Sequence, residues 1–365
     1  MRCLTLAGIL FFLAIPCCVA QQVGDSVVVI VPIAKIQIGE KVVDKAYRGA
    51  ILVVRKVQGE WLAVSHGTPG WLHRDDAMLL GPAVDFFSTI IRDNAKDPGA
   101  YFVRGNILSE QGQFAKAIAD FNKAIELDPK EGAAFNSRGF AWRQLDEPDK
   151  AIADFNQALQ LNGKDTWALN NRGIIWLDKG EYDKAIADFD QVLRLDEKHT
   201  WAYHNRGNAW SAKKDFPKAI ADYDQAIRLD PRDGDLYGNR GLACQAMGKF
   251  ERAVEDLTQA ATLAPNRSQV HHYLAWLLAT CPDAKIRDGK KAVASAKKAC
   301  DLTGWKDAVL LNTYAAAQAE AGDFDAAVRW QARAVELTPK ENQKDYRERL
   351  ELYRMGKAYQ LKAGK

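Results

Sequence analysis

Up to residue 82 the chain carries short apolar runs broken by glycine, and from residue 83 the apolar positions switch to a spacing of three and four. The first texture predicts strands. Residues 27–31, 50–54 and 61–64 are rich in Val, Ile, Leu and Trp, and Gly39, Gly49, Gly59, Gly67 and Gly70 punctuate them, as turns punctuate a small β module over 21–82. The second texture predicts helices. Val84, Phe87, Ile90 and Ile91 fall on one face of a lone capping helix over 83–97. From residue 98 the helical pattern repeats.

The repeat unit is 34 residues long. An Arg-Gly pair recurs at Arg104-Gly105, Arg138-Gly139, Arg172-Gly173, Arg206-Gly207 and Arg240-Gly241. Twelve residues after each Gly stands an Ala (Ala117, Ala151, Ala185, Ala219, Ala253), and three further on an Asp (Asp120, Asp154, Asp188, Asp222, Asp256). A fixed period of this size means one supersecondary unit stacked on copies of itself. Each unit reads as two helices. Gly and Ala allow a close crossing, and Phe121, Phe155, Phe189 and Tyr223 fill the seam. Pro129 and Pro231 stop second helices, while Pro148 and Pro217 fall in first turns, where a missing N–H costs nothing.

Gly105, Ala117, Phe121, Ala124 and Pro129, with their equivalents in the following copies, resemble the tetratricopeptide repeat (TPR). Five regular copies cover 98–267. An irregular sixth over 268–307 has Ala275 in place of the Gly and extra residues around Pro282, and a seventh covers 308–339. Residues 340–365 read as a charged C-terminal capping helix and basic tail. The resemblance implies a mainly α protein: a right-handed α-solenoid of about seven helix hairpins that binds proteins or peptides and carries no catalytic residues.

One position departs from the family pattern. The residue before the Gly, usually apolar, is Arg in five copies, with Asp sixteen residues on. In copy six both give way, to Leu274 and Ser295, and in copy seven to Tyr314 and Trp330. Positions that change together predict contact, hence a ladder of partly buried ion pairs: Arg104 with Asp120, Arg138 with Asp154, Arg172 with Asp188, Arg206 with Asp222 and Arg240 with Asp256. The rival reading sends the arginines to a ligand.

By the same resemblance, a partner lies along the first helices. Counting from the Gly, the candidate groove residues are Asn106, Asn136, Phe140, Arg143, Trp167, Asn170, Trp201, His204, Asn208, His272 and Trp276. Amides suit a peptide backbone and indoles supply apolar area. For Trp167 and Trp201, packing on the preceding repeat is an equal alternative. Trp142, Trp176 and Trp210, three after the Gly, are expected in the core. With Arg143 as the one groove cation, a clamp for a terminal carboxylate is not expected.

The Gly59-Glu60-Trp61-Leu62-Ala63-Val64 and Gly70-Trp71-Leu72 steps resemble bacterial SH3-like domains, so a small all-β SH3-like barrel is expected ahead of the solenoid. Trp61 and Trp71 either fill its core or contact a ligand, the core being the more frequent use of an indole.

Composition narrows the function. Residues 1–20 have the layout of a secretory signal peptide, with Arg2, an apolar run from Leu4 to Ile15, and small residues before Gln21. Pro16 disfavours a lipoprotein box at Cys17 or Cys18. The mature chain is expected to be exported, periplasmic or extracellular, and not membrane-spanning. Its near-balanced charge offers nucleic acid no footprint. The remaining cysteines, Cys244, Cys281 and Cys300, make no disulfide framework. No catalytic motif, metal set or cofactor loop is present. The reading is a non-enzymatic scaffold or adaptor of the cell envelope. The alternative is a cell-wall-associated protein whose β module holds peptidoglycan.

Overall fold

The computed structural model describes residues 24–30, 33–66 and 68–361. The expected signal peptide and the last four residues of the basic tail lie outside these, as does the side chain of His66. Two compact units divide the chain, one ending at Asn162 and the other beginning at Gly163.

The first unit opens with eight strands: β1 (Ser26–Val29), β2 (Ile33–Ile38), β3 (Lys41–Tyr47), β4 (Ile51–Val53), β5 (Lys56–Gln58), β6 (Trp61–His66), β7 (Thr68–His73) and β8 (Ala77–Leu79). They form a three-stranded sheet in the order β4-β1-β8 and a five-stranded sheet in the order β3-β2-β7-β6-β5. Every pairing is antiparallel, and the β2–β3 register shifts between Ile36 and Gln37. Alternation sorts the side chains. Val27, Val29, Ala34, Ile36, Leu62, Val64 and Leu72 meet in a wholly aliphatic core. Val28 points the other way. With Ile30, Ile51 and Met78 it packs on Ala83 and Phe87 of α1 (Leu80–Asp93) and on Ala100, Val103 and Ile107 of α2 (Pro98–Glu110). The β region therefore shares a core with the helices behind it. The unit continues with α3 (Phe114–Leu127), α4 (Gly132–Gln144) and α5 (Pro148–Leu161).

The second unit holds α6 (Thr166–Asp178), α7 (Tyr182–Leu195), α8 (Thr200–Ala212), α9 (Phe216–Leu229), α10 (Gly234–Ala246), α11 (Phe250–Leu263), α12 (Ser268–Thr280), α13 (Gly289–Leu302), α14 (Ala308–Glu320), α15 (Phe324–Leu337) and α16 (Lys344–Arg354). Among the described residues no helix is long and apolar enough to cross a membrane.

Each regular repeat is a helix hairpin capped by polar side chains. Asp97 accepts from the Ala100 amide at 3.1 Å, Asp165 from Ala168 at 3.0 Å, and His199 Nδ1 from Ala202 at 3.1 Å. In four of the five Arg-Gly pairs the Gly faces the aromatic ring sixteen residues on more closely than it faces the Ala. A Cβ on Gly105 would stand 2.6 Å from the Phe121 ring, and one on Gly173 or Gly207 2.7 Å from Phe189 or Tyr223. The expected Gly–Ala crossing is in fact a Gly–ring crossing. The approach is 3.0 Å in the second copy, to the Phe155 ring, and in the fifth, where Leu257 replaces the ring. Hairpin turns need a left-handed residue at one fixed position. Gly112, Gly180 and Gly248 supply it, and so, against their preference, do Asp146 (φ 58°) and Lys214 (φ 62°).

Candidate functional site

The five arginines sit on first helices one residue before the crossing glycine, and each aspartate sits on the second helix of the same hairpin. Every pair is a two-pronged fork. Arg104 Nε and Nη2 meet Asp120 at 2.7 and 2.6 Å, Arg138 meets Asp154 at 2.8 and 2.6 Å, and Arg172 meets Asp188 at 2.9 and 2.6 Å. Arg206 meets Asp222 at 2.8 and 2.6 Å, and Arg240 meets Asp256 at 2.9 and 2.6 Å. The aspartates are buried, at 4–5 % exposure. This geometry is the one a carboxylate needs to leave water without losing its charge.

The arginines hold more than their own hairpin. The third nitrogen, Nη1, reaches a residue sixteen positions earlier, on the second helix of the preceding hairpin or, for the first repeat, on α1. Arg104 donates to Ser88 Oγ at 3.0 Å, Arg138 to Asn122 at 2.7 Å, Arg206 to Asp190 at 2.5 Å and Arg240 to Asp224 at 2.6 Å. Four guanidinium groups also lie over a ring three residues before them: Tyr101, Phe135, Tyr203 and Tyr237, at 5.4–5.8 Å. Burial opposes the charges of Arg206 and Arg240, but two carboxylates each outweigh it and raise both pKa values. In Arg104, Arg138, Arg206 and Arg240 all three guanidinium nitrogens are engaged inside the stack, as a structural role requires.

The groove candidates fall on both units. In the first, Asn106 lies on α2, and Asn136, Phe140 and Arg143 lie on α4, all half-buried. In the second, α8 touches both α6 and α10 and brings the remaining central candidates together. Trp167 and Trp201, equivalent positions of adjacent repeats, are 65 % and 59 % exposed. That removes packing on a preceding repeat as their main role. Asn170 Oδ1 accepts from Asn205 Nδ2 at 3.5 Å.

His204 requires a correction. Expected in the open groove, it is buried at 8 % exposure between Trp201 and Tyr223 (ring centroids 5.8 and 6.2 Å). Asn239 Nδ2 lies 2.8 Å from its Nε2 and donates to Asn208 Oδ1 at 3.2 Å, which also accepts from the Tyr223 hydroxyl at 2.8 Å. Burial lowers the His204 pKa, against a weaker pull from Asp233 and Asp235. Asn208 is thus half-occupied by internal bonds. His272 is likewise engaged, its Nδ1 2.8 Å from Thr313 Oγ1, and Trp276 is covered by Tyr359 at 5.9 Å.

Trp142, Trp176 and Trp210 are not core residues either. Each is half-buried, with one face on the hairpin cores and the other under a lysine. Lys150 stands 4.6 Å above Trp142, Lys184 4.6 Å above Trp176, and Lys218 4.1 Å above Trp210. Among the described residues no group of three His, Cys, Asp or Glu could hold a metal ion. Burial raises the thiols of Cys244 and Cys281 and pushes that of Cys300 up to about 12, so they stay neutral.

In the β region Trp61 and Trp71 stay out of the core and line a cleft of about 330 Å³ with Gln37, Gly39 and Gln58. Gln58 is directly opposite Trp61 and Gln37 opposite Trp71, with Ala63 between the indoles. The His73 ring meets Trp61 edge-on at 5.0 Å.

Family models of the tetratricopeptide repeat match residues 98–131, 166–199 and 207–277. The hairpins within these stretches are tetratricopeptide repeats. Among solved structures, the fold is similar to the APC/C hetero-tetramer Cut9–Hcn1 (TM-score 0.54, 15 % identity), the match covering 74 % of this chain and 52 % of that one. A tetratricopeptide repeat protein from Parabacteroides merdae matches at TM-score 0.48 and 15 % identity, over 70 % of this chain and 98 % of that one. YrrB, described as a TPR protein with an unusual peptide-binding site, matches at 0.45 and 22 %, over 52 % and 97 %. No curated protein matches the chain at a significant level.

The tetratricopeptide pattern also carries residues that the groove count passed over. Asn171, Asn205 and Asn239 recur two before the Gly. Asn171 bonds its own helix at the Trp167 carbonyl, 3.0 Å, and the other two bridge neighbouring first helices. Their 34-residue recurrence was the available signal.

Proposed function

We propose that the chain is a non-catalytic protein-interaction scaffold whose central working surface, on α6, α8 and α10, takes an extended protein segment. Trp167 and Trp201 carry the reading. Two large indoles left in water at successive repeats do little for the fold, and aromatic anchors commonly dominate binding surfaces. The amides of Asn170 and Asn205 beside them suit a peptide backbone. The leader-like residues 1–20 support export, so the partner is sought in the periplasm or outside the cell. The test is selection of peptides from a random display library on the full chain, followed by affinity measurement on variants. Trp167→Ala with Trp201→Ala should weaken the selected peptides at least tenfold, to be expected of anchors worth about 2 kcal/mol, with an unchanged melting temperature. Full affinity in that variant would overturn the reading.

The Trp61–Trp71 cleft supports a second reading: attachment to cell-wall polymer through an SH3-like β module. Two indoles outside the core, each beside a glutamine amide, are chemistry that sugars use. Isolated wall polymer should retain the full chain but not its Trp61→Ala/Trp71→Ala variant. Equal retention, or none by either, sinks it.

A further inference from the structure

The chain does not leave the second unit when α16 ends. Gly356, at φ 66°, turns it back, and the Lys357 amide closes the turn on the Leu352 carbonyl at 3.0 Å. Residues 357–361 then form neither helix nor strand. The Leu361 amide donates to the Thr280 carbonyl at the end of α12, at 2.8 Å. Tyr359 lies on Trp276, centroids 5.9 Å apart and planes 37° from parallel. The Arg349 guanidinium is 4.9 Å from the Tyr359 ring and 5.5 Å from both Trp276 and Tyr346, and Asn312 Oδ1 accepts from its Nη1 at 3.3 Å.

Trp276 stands two repeat lengths after Asn208, in the row that follows the crossing residue. The returning segment therefore covers a first-helix position of the same kind as the candidate binding surface. Its hold is of the kind an extended peptide makes in a groove: Tyr359 on an indole and beside a guanidinium, Ala358 against the apolar core, one backbone bond to a helix end, and no regular structure of its own. A segment tied by so few long-range bonds is the sort that opens locally while the rest stays folded.

We propose that residues 357–361 are an intramolecular ligand of a peptide subsite on α12, and that this subsite takes, from another chain, an extended segment bearing an aromatic residue. Tethering gives the tail a high effective concentration, so it competes with any such segment. The proposal deepens the scaffold reading but rests on Trp276 rather than on Trp167 and Trp201, so each can fail alone.

The probe is a synthetic peptide of residues 355–365. It is titrated into the full chain, into a chain ending at Met355, and into the full-length Tyr359→Ala variant, and followed by indole fluorescence and by NMR up to millimolar peptide. The shortened chain should bind one peptide at least tenfold more tightly than the full chain, with Tyr359→Ala also gaining affinity. The same peptide with Tyr359→Ala should not bind. Should the shortened chain fail to fold, the Tyr359→Ala comparison decides. The proposal is overturned if a folded variant lacking the tail contact binds no peptide, or binds it no better than the full chain.

Discussion

Tyr314 and Trp330 stand where the regular repeats place an arginine and an aspartate, and their rings meet edge to face with centroids 5.7 Å apart. Trp305 completes the cluster, 5.1 Å from Tyr314 and 4.7 Å from Trp330. The slot that five repeats fill with a charge pair is thus filled in the seventh by apolar contact across the same two helices. What the slot requires is that its two occupants match.

A double-mutant cycle on Arg206 and Asp222 tests this. Arg206→Leu alone should cost about 3–5 kcal/mol, because it strands a buried carboxylate. Adding Asp222→Leu should recover much of that loss. Denaturant unfolding of the two single variants and the double variant gives the coupling. Additive losses would mean that the pair does not act as a unit.

The Gly–ring crossing sets a second expectation. Gly173→Ala places a Cβ 2.7 Å from the Phe189 ring, and overpacking of this kind costs about 1–3 kcal/mol. Phe189→Leu in the same chain should soften the penalty, since it replaces the ring against that Cβ by the smaller side chain that Leu257 places opposite Gly241. Melting curves of the three variants decide it.

Lys214 holds the left-handed turn that Gly180 and Gly248 hold elsewhere. Lys214→Gly should stabilise the second unit by about 0.5–1 kcal/mol by relieving that conformation. Gly180→Ala should do the reverse. A lower melting point for Lys214→Gly would show that the Lys214 side chain contributes more than its backbone costs.

Burial lowers the pKa values of His204 and His272 below that of an exposed imidazole. In the unfolded chain each takes up a proton near pH 6.5, whereas the folded chain resists it. Stability from this source is complete above about pH 6.5 and is lost as pH falls through the folded pKa values. Asp233 and Asp235 moderate the effect at His204, as does Asp307 at His272. His204→Gln should flatten the acid limb of the melting-temperature profile between about pH 7 and 5. An unchanged profile would place the titration elsewhere.

Much of this architecture is visible before any coordinates. The 34-residue period announces stacked hairpins, and the joint loss of Arg and Asp in copies six and seven points to their contact. The third arginine bond is harder to read, because its acceptor changes from Ser88 to Asn122 to Asp190 and Asp224, so no single residue type marks it along the repeats. His204 misleads because its equivalents Asn136, Asn170 and His272 are only half-buried. The rings of Trp201 and Tyr223, from one flank and from the next helix, close over it together with the Asn239 amide. Trp142, Trp176 and Trp210 mislead in the opposite sense. Periodicity reports the direction of a side chain, and it is silent about a lysine lying over the outer face. Trp276 looked open because no period links it to Tyr359, far along the chain.

The bond from Arg206 to Asp190 has a further consequence. It ties α8, which carries Trp201, to the hairpin that carries Trp167. The interval between the two exposed indoles is therefore held by a charged strut as well as by the apolar seam around Phe189 and Ala209. A surface built this way acts as a ruler. On the proposed binding role, it would select partners by the pitch of their contact residues, and a segment with the right chemistry at the wrong spacing would engage only one mark at a time.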